Sequence, residues 1–184
     1  MKTVWCSLLL AVCVSAQEGT SDLHLRRIDD HVYGGRQPKE ADFAALKQMG
    51  IKTILDLRGG SIHRPRERKW VQAAGMQYFS VRLSGIFPPR KAQIAQILAL
   101  LEDPEKGPFY VHCRRGYDRV GMVIASYRIA HDRWTNNQAM AEAHSFGLNR
   151  FELLMKRYIL KFDPSTLPAI PPGPALTLEP STRR

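Results

Sequence analysis

The chain has 184 residues, 44% of them apolar, which is enough for one compact core with extensions at its ends and too few for two ordinary domains. Its 27 lysines and arginines against 17 acids leave a formal charge of +10, which favours anionic partners such as phosphorylated ligands, lipid headgroups or nucleic acid. A nucleic-acid reader would carry a basic stripe with aromatic platforms or a reading helix; neither is evident, so no nucleic acid is expected.

Residues 1–16 contain Lys2, an apolar stretch from Val4 to Val14 and the small residues Ser15 and Ala16. This pattern predicts a signal peptide cleaved after Ala16, since the apolar stretch is too short for an ordinary membrane span. The expected location is then secreted or periplasmic. Lipid anchoring at Cys13 is disfavoured, because Val12 stands where a small residue would precede a lipid-bearing cysteine. Cleavage would remove Cys6 and Cys13, leave Cys113 as the sole thiol, and take the charge from +10 to +9. A lone free thiol in an oxidising compartment is a hazard that a reactive role explains.

Residues 40–49 suit a helix with Phe43 and Leu46 inward and Gly50 as its stop. A central strand is predicted over 51–57. Arg58 follows at its C-terminal end, where open α/β sheets place ligands, and either supports substrate binding or fixes the loop by a salt bridge. The order continues with a helix over 66–74 closed by Gly75, and a strand over 76–83. Residues 91–101 carry Ile94, Ile97, Leu98 and Leu101 at helical spacing. Pro104, Gly107 and Pro108 then lead into the buried strand Phe109-Tyr110-Val111.

That strand runs into His112-Cys113-Arg114-Arg115-Gly116-Tyr117-Asp118-Arg119-Val120-Gly121 and then into an apolar helix ending near residue 131. A cysteine six residues before an arginine, between a strand and a helix N-terminus, forms an anion cradle with a nucleophile at its base. The arginine fork can hold two oxyanion oxygens at once, and the same donors favour a thiolate. Thr135 is placed to cap a further helix stopped by Gly147, and Phe151, Leu154, Met155 and Tyr158 give one more helical face. Alternating strands and helices predict an α/β fold: a central, mainly parallel sheet flanked by helices. The predicted organisation is a signal peptide over 1–16, one domain over 17–162, and a proline-rich tail or surface strap over 163–184.

The loop resembles the Cys-x5-Arg phosphate loop of the protein tyrosine phosphatase superfamily, most closely its compact bacterial dual-specificity-like members. Two upstream segments extend the likeness: Tyr33-Gly34-Gly35-Arg36-Gln37-Pro38 before a helix, and Ile54-Leu55-Asp56-Leu57-Arg58 as a strand ending in arginine. The resemblance implies a phosphatase-like fold and phosphate-monoester hydrolysis through a cysteinyl-phosphate. Cys113 would be the nucleophile and Arg119 the oxyanion clamp, with no cofactor and no metal. Arg114, Arg115, Gly116, Tyr117 and Gly121 would bind substrate. His112 would order the loop and support the thiolate rather than act as a base. The partner would be a phosphorylated protein, lipid or small molecule, with both phosphotyrosine or phosphoserine and inositol phosphates open. Oligomeric state is left open.

Two departures from the resemblance matter. Many relatives take a proton-donating aspartate from the loop after the strand at 76–83, yet no acid lies between Glu67 and Glu102. Asp118 is therefore the leading acid candidate, with Glu67 a weaker substitute; the alternative for Asp118 is that it pairs with an arginine and shapes the loop. Val120 stands where serine or threonine is common, and it cannot hydrogen-bond the departing sulfur. Two other readings remain beside the phosphatase: a rhodanese-like sulfurtransferase, which also uses a loop cysteine, and a pseudophosphatase that binds phosphate with weak turnover.

Overall fold

A computed structural model describes residues 23–58, 64–149 and 153–170. The predicted signal peptide and most of the proline-rich tail lie outside the described residues. Five short strands form one sheet in the order β1-β2-β5-β3-β4. They are β1 (Arg26–Arg27), β2 (Val32–Gly35), β3 (Thr53–Asp56), β4 (Gln77–Ser80) and β5 (Phe109–His112). All pairings are parallel except that of β1 with β2, so the sheet is mainly parallel, as expected.

Successive residues of each central strand enter opposite cores, as the two-residue side-chain period requires. Leu55, Phe79 and Val111 face the larger core, built with helices α3 (Lys91–Leu101), α4 (Asp118–Ala130), α5 (Asn136–Ser145) and α6 (Leu153–Leu160). Ile54, Tyr78 and Tyr110 face the smaller one, which Phe43 and Leu46 of α1 (Asp42–Gln48) and Val71 of α2 (Arg64–Ala73) complete. Fully burying each such aliphatic side chain contributes about 1.5–3 kcal/mol, the main term holding the layers together.

The register also positions the site. Both Gly35 of β2 and Asp56 of β3 pair with His112, so the residue before the nucleophile is flanked at the sheet's C-terminal edge by one backbone with no side chain and one carboxylate. Strand β2 carries little sequence signal because of what presses on it. A Cβ at Gly34 would sit 2.9 Å from Val120 Cγ1, and one at Gly35 would sit 2.6 Å from the Leu23 carbonyl oxygen. Two glycines are needed there, and they remove the alternation that marks a strand.

Helix α3 spans the predicted residues. Thr135 caps α5 as expected, with its hydroxyl accepting the Gln138 N–H at 3.3 Å. Gly50, Gly75 and Gly147 end their helices at positive φ. After α6, a 3-10 turn at Pro164–Thr166 is capped by Asp163, and Leu167 packs against the larger core. The chain from 163 to 167 is therefore part of the packed body.

Candidate active site

Strand β5 delivers Cys113 to the floor of a tight loop, and α4 begins five residues later at Asp118. The thiol is 3% exposed, and its Sγ accepts the Gly116 N–H at 3.3 Å. Gly116 adopts φ +83°, and a Cβ there would lie 2.6 Å from the Gly35 carbonyl carbon and 2.7 Å from Arg36 N. The loop is thus pinned against the end of β2, and Gln37 N–H reaches Arg114 O at 3.5 Å. Glycine serves the turn and the close packing together.

Arg119 is half-buried in the first turn of α4 and makes no hydrogen bond or ion pair with the described residues. An uncommitted guanidinium beside a helix N-terminus is a ready oxyanion clamp. Arg114 and Arg115 are exposed, and the Arg115 guanidinium folds back toward Asp118 and the Tyr117 ring. Tyr117, half-buried in the loop, stacks its ring on His24 with centroids 5.8 Å apart, and its hydroxyl meets His24 Nδ1 at 3.2 Å. Gly121, expected among the substrate-binding residues, instead serves helix packing. A Cβ there would come within 3.3 Å of Ala143 O, so the glycine lets α4 approach α5. Val120 is fully buried in the larger core, its side chain filling the space that Gly34 leaves open.

Asp118 Oδ1 accepts the Asn149 N–H at 3.0 Å, and Oδ2 accepts Arg115 Nη2 at 3.1 Å. One oxygen ties the loop to the segment before α6 and the other ties it to its own Arg115, an arrangement suited to a brace. The loop after β4, where relatives were expected to place an acid, carries none. It exposes Ile86 and Phe87, each 62% accessible.

Beneath Cys113 lies a buried charge network. Arg58 Nε and Nη2 donate to the two oxygens of Asp56 at 2.8 and 2.9 Å, and Nη2 also donates to Glu67 Oε2. Tyr78 Oη donates to Asp56 Oδ2 at 2.8 Å. Burial alone would raise the Asp56 pKa, but His112 and Arg58 outweigh it and hold it at about 2. Burial, reinforced by Asp56 and Glu67, pushes the Tyr78 phenol far up, so it remains a donor. Arg58 therefore takes the salt-bridging role and not the substrate-binding one. His112 is fully buried against the Tyr110 ring, with Nε2 lying 2.7 Å from Glu67 Oε1. Asp56, Glu67 and His112 could converge on a cation, and the Arg58 guanidinium already supplies one to both carboxylates.

Two participants escaped the sequence reading. His24 precedes every recognisable motif and carried no signal. Glu67 was considered only as a proton donor, although its spacing of four from buried Val71 places it on the inward stripe of α2.

Residues 11–157 match the family described as a DSP-PTPase phosphatase fused to NAD+ kinase. The chain belongs to this family. Among curated relatives, the phosphatase domain is 26% identical over 133 residues to the dual specificity protein phosphatase TpbA of Pseudomonas aeruginosa, covering 72% of this chain and 58% of the relative. The chain thus spans little more than half the length of that relative. It is 23% identical over 153 residues to the inositol diphosphatase DSP4 of Arabidopsis thaliana, covering 81% and 76% of the two chains. In fold it resembles the catalytic core of the PP-IP phosphatase SIW14 from S. cerevisiae, with a TM-score of 0.68, 20% identity, and 77% and 86% of the two chains covered. The crystal structure of TpbA gives a TM-score of 0.67 at 22% identity, with 78% and 87% covered.

Proposed function

We propose that the chain is a cysteine-dependent phosphohydrolase. The observation that carries this reading is the Cys113 thiol held under the Gly116 N–H at the head of α4, with Arg119 uncommitted in that helix's first turn. Cys113 attacks phosphorus in line with the departing oxygen, forming a cysteinyl-phosphate, and water then cleaves the S–P bond to release phosphate. Loop N–H groups and Arg119 stabilise the charge on the equatorial oxygens.

The missing proton donor narrows the substrate. With no acid on the loop after β4 and both Asp118 oxygens engaged, leaving groups that depart as stable anions are favoured over alkoxides. Aryl esters such as phosphotyrosine and phosphoanhydrides such as an inositol diphosphate meet that condition; phosphoserine does not. Relatives described as inositol diphosphatases and a TpbA structure in complex with phosphotyrosine fit this preference, whereas the dual specificity in the TpbA description reaches beyond it to alkyl esters. The exposed Arg114 and Arg115 suit a ligand carrying several phosphates. The leader pattern at residues 1–16 supports action outside the cytoplasm.

The test is phosphate release from phosphotyrosine and phosphoserine peptides, inositol diphosphates, inositol monophosphates and phosphoinositides, with Cys113→Ser as the control. Release from the phosphotyrosine peptide or the diphosphate, well above that from phosphoserine, is the expected result. Thiosulfate sulfur transfer with no phosphate release from any ester or anhydride would replace the reading with sulfurtransfer.

A further inference from the structure

Glu67 occupies the most polar helix among the described residues, beside Arg64, Arg66, Arg68 and Lys69 in sequence, yet it is 0% exposed. Burying a carboxylate is costly unless it is paired and hydrogen-bonded, and a leucine at that position would pack beside Val71 without the cost. One oxygen accepts Arg58, as described. The other lies 2.7 Å from His112 Nε2 but out of hydrogen-bond alignment, so these two atoms are the only fully covered polar atoms in the network without a formed bond among the described residues. On the far side of the same ring, His112 Nδ1 lies 3.4 Å from the carbonyl oxygen of Cys113. The imidazole is thus wedged between a carboxylate from α2 and the backbone of the nucleophile.

We propose that Glu67 is a positioning residue for Cys113: through its contact with His112 it fixes the ring, and with it the Cys113 backbone, so that the thiol stays under the loop donors. This rests on the reading of Cys113 as the nucleophile. The groups facing the ring come from every packed element: Asp56 and Arg58 from the end of β3, Glu67 from α2 and Tyr110 from β5, with Tyr78 of β4 closing the network at Asp56. Asp118 and Arg119 open α4, the helix that follows the loop. Arg58 and Asp56 are bound to each other twice. Glu67 is therefore the member that links this pair to the phosphate loop.

The test uses the full chain with Glu67→Gln, which keeps the shape and removes the charge. Alkylation of Cys113 by iodoacetamide is followed against pH, with kcat and KM on p-nitrophenyl phosphate and the Kd for inorganic phosphate measured in parallel. The midpoint of the alkylation profile is expected to rise by about one pH unit, and kcat to fall by about 10- to 100-fold, the scale seen when a group orienting a site is removed. Phosphate affinity should stay within about twofold, because the loop donors are untouched. In a His112→Asn background the Glu67 change should add nothing, since its effect passes through the ring. If Glu67→Gln alone does not fold, the double variant, which removes both members of the contact, is compared with His112→Asn. An unchanged alkylation profile, or an equal further loss in the His112→Asn background, overturns the proposal. The alkylation readout needs no substrate, so a chain that fails to release phosphate yet shows the shift would defeat the phosphohydrolase reading and leave this one standing.

Discussion

Two loops leave the same edge of the sheet and are built to opposite standards. The loop after β5 is tied at nearly every residue: Cys113 to Gly116, Gly116 against Gly35, Asp118 to Asn149 and Arg115, and His112 against Glu67. The loop after β4 carries two exposed apolar side chains and no acid. The first provides everything needed to bind and attack an oxyanion; the second offers nothing to protonate what leaves. Rigid donors aimed at developing charge contribute the largest single term in such chemistry, whereas a proton donor matters in proportion to the basicity of the leaving group. The contrast therefore predicts high sensitivity to the first loop and strong dependence on the leaving group.

The severest break of that comparison is Cys113→Ser, expected to lower turnover by more than ~10⁴-fold, since the step has no other nucleophile. Isothermal titration with phosphate or vanadate should show oxyanion binding retained. Arg119→Ala comes next, with kcat/KM expected to fall ~10²- to 10³-fold together with weaker phosphate binding; equal kinetics for the variant would remove the clamp from the mechanism. Asp118→Asn tests the other half. A general acid is worth ~10²- to 10⁴-fold on poor leaving groups, whereas a brace should lower rates on alkyl and p-nitrophenyl phosphates by one common factor below about 10. A loss confined to alkyl phosphate would restore Asp118 as the proton donor.

The smallest effect concerns stability and sharpens the role of the buried network. Asp56 titrates near 2 in the folded protein against its ordinary 3.8, so the stabilisation it provides is complete above about pH 4 and is lost as pH falls toward 2. The amount is about 2 kcal/mol. Chemical unfolding of the wild type should weaken over that interval, and Asp56→Asn should be less stable at neutral pH with a flatter acid limb. An identical acid limb in the two proteins would show that the network contributes no linked stability.

Much of this architecture was written locally. Helix α3 was legible from the spacing of Ile94, Ile97, Leu98 and Leu101, and α5 from Thr135 and Gly147, because caps and amphipathic faces act within a few turns. The anion loop was legible for the same reason: strand, cysteine, glycine, arginine and helix follow one another directly. Strand β2 was not, since its glycines answer to Val120 and Leu23, residues that only the folded chain brings near. Gly121 looked like part of the loop and proved to be a contact for α5.

The sequence by itself determined a basic α/β protein with a cysteine-and-arginine anion cradle and no acid on the following β4 loop. Tertiary structure alone decided that Asp118 meets Asn149 and Arg115, that Arg58 faces inward, and that Glu67 reaches His112 across 45 positions of chain. Those decisions depend on burial and on pairing between distant charges. Both are properties of the space a side chain enters, which no local pattern of residues encodes.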